Sequence, residues 1–273
     1  MTSGTCRAAL LLLTMAGVFV AIGSLFGPVG AAFALALAVV TGFWSFWSTA
    51  GKLAAIGAVE VTDPKIIAMV AGLAAKAGIP APPVFEIPEK QPNALVLGPT
   101  PHQAALVLTT GLRKRLTDRE LAAVVGHEIA HIRSRDTMSA TIGVTILSAV
   151  TSLALLLGLL GFVLRRNGGG PLIALAILTP VLVLIVHLAA SRSREYAADR
   201  FAAEMVGMDQ MIAALRKLDI SSRKSANTVA FNRPELASLF IVDPLPQSWL
   251  GRVFSTHPPL LKRIERLERM TPA

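Results

Sequence analysis

Four apolar runs decide what this chain can fold into: Ala8–Phe26, Val29–Ala50, Thr141–Leu164 and Leu172–Ala190. Each has the length of a helix that crosses a bilayer, about 20 residues, and a helix satisfies its own backbone groups there. Gly27-Pro28 turns the first pair into a hairpin where a signal peptide would instead show a small-residue cleavage site. Residues 165–171, Arg-Arg-Asn-Gly-Gly-Gly-Pro, turn the second. Phe43, Trp44, Phe46 and Trp47 stand just before Lys52, the arrangement that membrane interfaces favour. Composition agrees. Only 16% of the residues are charged and 53% are hydrophobic, whereas soluble domains carry about 25% charge.

Four spans place the N-terminus, the central segment and the C-terminal region on one side. Arg7, Lys52, Arg133, Arg135, Arg192 and Arg194 flank the spans there, against Arg165 and Arg166 opposite. The positive-inside rule then makes that side cytoplasmic. The net charge of +9 is spread along the chain, and no basic-aromatic module is present. The partner it points to is the lipid bilayer, with no nucleic acid. Cys6 is the single cysteine. That excludes an intramolecular disulfide framework and fits a catalytic part facing a reducing compartment.

The polar stretches carry the chemistry. Asp63-Pro64 predicts a helix start and Gly78 its end. Pro82–Ile87, Ala94–Leu97 and Ala104–Thr110 read as strands of a small sheet. An exposed edge of that sheet can hold an extended peptide; a purely structural hairpin is the other reading. Thr117 and Glu120 form a capping box ahead of His127-Glu128-Ile129-Ala130-His131. This H-E-x-x-H spacing points two imidazoles from one helix face toward a single metal ion, with a carboxylate between them.

A catalytic zinc needs a third protein ligand and an open position. Glu195 is the best candidate, since the second hairpin can return it to the metal helix; a solvated acid among arginines is its alternative. Asp199 shares its face, one turn on, and can fix the tautomer of a ligand histidine. Glu128 is then the general base that takes a proton from the attacking water. His257 can stabilise an oxyanion, gate the open position, or cap the helix it precedes. His102 reads as solvated, His187 as buried in the fourth span, and Tyr196 as packing. In the last helix, Pro258–Met270, Leu261, Ile264 and Leu267 are expected inward. Lys262, Arg263, Glu265, Arg266 and Glu268 are expected outward. Residues 221–247 read as loop.

His127–His131 followed by Arg135-Asp136-Thr137, Arg194-Glu195-Tyr196-Ala197-Ala198-Asp199 and Ser255-Thr256-His257-Pro258-Pro259 together resemble the HtpX-type heat-shock zinc metalloproteases of bacterial inner membranes. Pro92-Asn93-Ala94 and Thr109-Thr110-Gly111-Leu112 match the hairpin before their metal helix. Where relatives often carry an aromatic and a Thr-Gly pair, this chain has Leu95-Val96-Leu97-Gly98. The resemblance implies a gluzincin-like protease working from the cytoplasmic side of the inner membrane. It implies one Zn2+ on His127, His131 and Glu195, catalysis by Glu128, and substrate binding near Asn93. Its substrates would be misfolded or damaged membrane proteins under stress.

The expected architecture is a mainly α integral membrane protein with four transmembrane helices and a zinc metalloprotease domain containing a small β-sheet. Residues 1–50 and 141–190 form the hairpins; 51–140 and 191–273 form the two halves of the catalytic domain. A CAAX-prenyl-type membrane protease is the second enzyme reading, although such enzymes have more spans. A non-proteolytic scaffold with a vestigial zinc site is the third, and the retained Glu128 argues against it.

Overall fold

The computed structural model describes residues 27–47, 49–136, 193–222, 240–241 and 257–270, with isolated positions in 13–24 and 162–177 and some side chains of 27–50 left aside. The runs Ala8–Phe26, Thr141–Leu164 and Leu172–Ala190 therefore lie almost wholly outside the described residues, as does His187. The run Val29–Ala50 is helical, as α1 (Gly27–Trp47) continued by α2 (Thr49–Ala55). Val29, Phe33, Val39 and Val40 on α1 are exposed. Among the described residues no helix is long and apolar enough to cross a membrane.

The segment that follows α2 is built as the local signals predict, with additions. Asp63 caps α3 (Pro64–Ala77), accepting the Lys65 N–H at 3.0 Å, and Pro64 occupies the first turn, where its missing N–H costs nothing. Gly78 ends the helix in the left-handed conformation, φ 69°, which a glycine adopts without a Cβ clash. The three expected strands form as β2 (Val84–Ile87), β3 (Ala94–Leu97) and β4 (Ala105–Thr109). A fourth, β1 (Val59–Glu60), joins them in the order β1-β2-β4-β3. The pairing is mixed: β2 runs parallel to β4, while β1 and β3 run antiparallel to their neighbours. β3 and β4 are buried along their whole length, which is why they read as continuous apolar runs rather than alternating ones.

A short helix, α4 (Thr110–Arg115), follows β4 directly. Then comes α5 (Asp118–Arg133), opened by the expected capping box: Glu120 Oε2 accepts the Thr117 N–H at 2.8 Å, and Thr117 Oγ1 accepts the Glu120 N–H at 3.4 Å. Helix α6 covers residues 193–206; Gly207 separates it from α7 (Met208–Ser222), and α8 (Leu260–Glu268) ends the fold. One core lies between the sheet and helices α3, α5, α7 and α8, with Val96, Leu106, Leu108, Val124, Ile129, Met211, Leu215 and Leu267 within it. The opposite sheet face carries a smaller cluster of Ile56, Ile87, Leu95, Leu97, Val107 and Phe240.

The outward assignment of Arg263 is corrected by α8. Leu260, Arg263, Ile264 and Leu267 are its buried face, Arg263 is 0% exposed, and Leu261 is 51% exposed. The i, i+3, i+4, i+7 set starts one residue earlier than the sequence reading put it. A guanidinium sits in that set because it has a buried carboxylate to meet.

Helix α6 reaches α5 through small residues. A Cβ placed on Gly126 would lie 3.5 Å from both Cα and Cβ of Ala202, ordinary contact for a methyl group and no room for more. Gly126 directly precedes His127, so this crossing sets how far Glu195 stands from the histidines. Gly126→Ala should therefore keep metal affinity and gain some helix propensity. Gly126→Leu should force the helices apart at a cost of about 1–3 kcal/mol and lose the metal. Full metal content in purified Gly126→Leu protein would show that the crossing does not position the site.

Candidate metal centre

His127 and His131 lie one turn apart on α5, with rings edge to face and centroids 4.7 Å apart. Their Nε2 atoms approach to 3.1 Å. Glu195, near the start of α6, completes a triangle: Oε1 is 3.4 Å from His131 Nε2, and Oε2 is 3.6 Å from His127 Nε2. Among the described residues this is the one group of three or more potential metal ligands whose atoms cluster, all within 4.8 Å of one another. Donors held at 2.0–2.1 Å from one ion in tetrahedral geometry stand about 3.3–3.4 Å apart. The observed edges bracket that value. Glu195 Oε2, moreover, is buried and makes no well-aligned hydrogen bond, although His257 Nδ1 lies 2.9 Å away. Two imidazoles and a carboxylate are the donor set a divalent metal takes, and these residues fit one.

The other ring nitrogens are also held. His127 Nδ1 lies 2.9 Å from Asp199 Oδ1, and His131 Nδ1 lies 3.3 Å from Asp136 Oδ2. Each carboxylate accepts an Nδ1–H, which leaves the Nε2 lone pairs pointing into the triangle. The sequence reading placed Asp199 here and missed Asp136. Asp136 gets there by an abrupt turn after α5, where Arg135 takes a left-handed φ of 56°, a conformation uncommon for a residue with a Cβ. Arg194 then braces it, with Nη1 3.7 Å from Asp136 Oδ1. The residue beside the third candidate ligand thus secures the residue that orients the second histidine.

Arg263 is the larger omission. Its Nε donates to Asp199 Oδ2 at 2.8 Å and its Nη2 to Asp199 Oδ1 at 2.5 Å. Nη2 also passes 3.3 Å from His127 Nδ1, and Nη1 lies 3.4 Å from Glu195 Oε2. The signal that could have found it is its place between Leu260, Ile264 and Leu267 on the buried stripe; the rule that charges face water hid it.

Charge balance follows from these contacts. Burial works against ionisation of Asp199, but the Arg263 guanidinium and the His127 hydrogen bond outweigh it and lower the carboxyl's pKa. Burial likewise opposes ionisation of Glu195, where His257, His127 and His131 hold the carboxyl well below the usual range. Burial lowers the His131 imidazole, yet its hydrogen bonds to Asp136 and Glu195 prevail and push it up to about 10. A metal cation at the triangle would displace that proton. Glu128 goes the other way: burial raises its pKa, with the neighbouring histidines opposing.

The remaining candidates divide. His257 joins the cluster, its Nδ1 2.9 Å from Glu195 Oε2. Asn93 is fully buried at the head of β3, where its Oδ1 accepts the Ala94 N–H at 3.1 Å and its N–H donates to Thr109 Oγ1 at 2.9 Å. Its described contacts are with the sheet. Tyr196 packs its ring under Arg266, 4.6 Å from centroid to guanidinium carbon. His102 is exposed, as expected.

Comparison with known proteins gives the family. The model of peptidase family M48 matches residues 60–271. A protein described as "Protease HtpX homolog", from Acidiphilium cryptum (strain JF-5), is 41% identical over 276 aligned residues, 97% of this chain and 96% of its own length. The crystal structure of S. mikatae Ste24p superposes with a TM-score of 0.59 at 19% identity, covering 95% of this chain and 62% of that one; this is a likeness of fold. Two imidazoles on one helix, a carboxylate from a second, and a match across nearly the whole chain lead to one assignment: the chain belongs to peptidase family M48, as a protease of HtpX type.

Proposed function

We propose that this protein is a membrane-embedded, zinc-dependent endopeptidase that cleaves misfolded or damaged membrane proteins. The observation that carries the reading is the closed triangle of His127, His131 and Glu195 with Glu128 buried beside it. Two hairpins, residues 1–50 and 141–190, would hold it in a bacterial inner membrane with the site facing the cytoplasm. Their apolar composition and flanking cations support that placement.

Zinc held by these three groups would supply a Lewis acid for the scissile carbonyl and a water of lowered pKa at the open position. Glu128 takes the proton from the attacking water and hands it to the leaving amine. Burial raises its pKa, which makes the carboxylate a stronger base toward the attacking water. Asp199 and Asp136 hold the two imidazoles in the tautomer and orientation that present Nε2. Arg263 neutralises Asp199, so a buried carboxylate can stay ionised beside His127. His257, 2.9 Å from Glu195 Oε2, is the side chain that would donate to the oxygen on which charge develops.

Two sets of variants test this. Glu128→Gln keeps the shape of the side chain and removes the base; cleavage of an unfolded membrane protein should fall by about 10²–10⁴-fold with zinc content unchanged. Equal cleavage by Glu128→Gln and wild type would sink the mechanism. Glu195→Ala should lose zinc during purification, whereas Asp199→Asn and Asp136→Asn should each weaken zinc affinity by about 10–100-fold, as loss of an orienting partner does. Competition against a chromophoric chelator ranks the three. A Glu195→Ala protein that holds zinc as tightly as wild type would move the third ligand elsewhere.

A further inference from the structure

β3 is the outer strand of the sheet, with β4 on one side. An outer strand normally offers a row of free N–H and C=O groups, the template on which an extended peptide can be added. Here one position of that row is taken. Leu95 forms an antiparallel bridge with Phe240, and the Ile241 N–H donates to the Ala94 carbonyl at 2.9 Å. The Ile241 carbonyl accepts from Arg263 Nη1 at 3.1 Å. Arg263 is the same side chain that holds Asp199 and lies 3.4 Å from Glu195. One residue's two backbone groups therefore join the sheet edge to the metal centre, and the Phe240 side chain is buried against Leu95, Leu97 and Val107.

We infer that Phe240–Ile241 is a built-in competitor: it lies where the backbone of a peptide substrate would pair with β3, and substrate must displace it. This rests on the peptidase reading above. A substrate strand approaching the triangle along β3 needs an acceptor for its N–H and a donor for its carbonyl. Ala94 O and Arg263 Nη1 are that pair, and Ile241 already uses both.

The bridge can be locked. Because the bond runs from the residue after Phe240 to the residue before Leu95, Leu95 and Phe240 face each other as a non-hydrogen-bonded pair. Such pairs have Cα atoms about 4.5 Å apart, inside the range a disulfide spans. The test uses full-length, zinc-loaded Leu95→Cys/Phe240→Cys protein in detergent, with Cys6→Ser so that the new pair stands alone. Oxidised and reduced samples of one preparation are compared for zinc content, cleavage of unfolded casein, and binding of a fluorescein-labelled unfolded casein peptide. The oxidised form should bind and cleave at least about tenfold less well than the reduced form, as for a site whose competent state has been removed. Zinc per chain should be equal.

Equal binding in the two states would overturn the inference. Ile241→Pro provides a second route that leaves Phe240 in place, since it deletes the N–H given to Ala94. It should tighten peptide binding and lower KM with zinc retained. Weaker binding together with a lower Tm would make Phe240–Ile241 an ordinary structural strand and equally overturn the inference. A wild-type protein that holds zinc and binds the peptide but cleaves nothing would sink the peptidase reading, while the oxidised-versus-reduced binding comparison still decides this one.

Discussion

The Arg263–Asp199 pair is the interaction on which the rest of the site depends. Both groups are essentially excluded from solvent, and the guanidinium meets the carboxylate through two donors, Nε and Nη2. Removing either partner of such a pair leaves a buried charge uncompensated, which costs about 3–5 kcal/mol. The pair also bridges elements far apart in the sequence. It ties α8 to α6, and through His127 Nδ1 it reaches α5. Helix α8, nine residues long, is too short to be stable alone. Its apolar residues seat it against α7, and Arg263 determines which face it presents.

Around that pair the site is built as two similar arms. Asp199 holds His127 and is held by Arg263; Asp136 holds His131 and is held by Arg194. In each arm an arginine contacts a carboxylate, and the carboxylate meets an imidazole. The balance of charge then favours a dication. Four carboxylates, Glu128, Asp136, Glu195 and Asp199, stand in the site with two guanidinium groups, those of Arg194 and Arg263. Although burial works against it, the hydrogen bonds of His131 to Asp136 and Glu195 push its imidazole up to about 10. Proton and metal compete for the same lone pair, so metal binding is coupled to proton release.

Much of this was legible in the residues. His127, Glu128 and His131 declare themselves by spacing, the capping box locates the start of α5, and the face shared by Glu195 and Asp199 is an i, i+4 relation on one helix. These are local signals, set within a few residues of chain. What was not legible is non-local or breaks a local rule. The mixed strand order, with β2 parallel to β4, depends on contacts no short window contains. Asp136 depends on a left-handed arginine, where turn chemistry gives no warning of the kind Gly or Asn gives. Arg263 was placed in water because arginines mostly are, and only the position of Asp199 in three dimensions reverses that expectation.

The coupling between β3 and the metal centre has an energetic consequence. If the Ile241 carbonyl left Arg263 with nothing in its place, a buried guanidinium donor would lose its acceptor at a cost of about 1–3 kcal/mol. The Ala94 carbonyl would lose its donor in the same step. Exchange avoids both losses, because an incoming peptide strand brings one N–H and one C=O in the spacing that Ile241 uses. The edge is therefore less easily emptied than exchanged. Phe240 and Ile241 are also held by their buried side chains, so an incoming strand must fill the apolar space they leave. Pairing through main-chain groups in this way asks for an extended backbone rather than for a particular sequence.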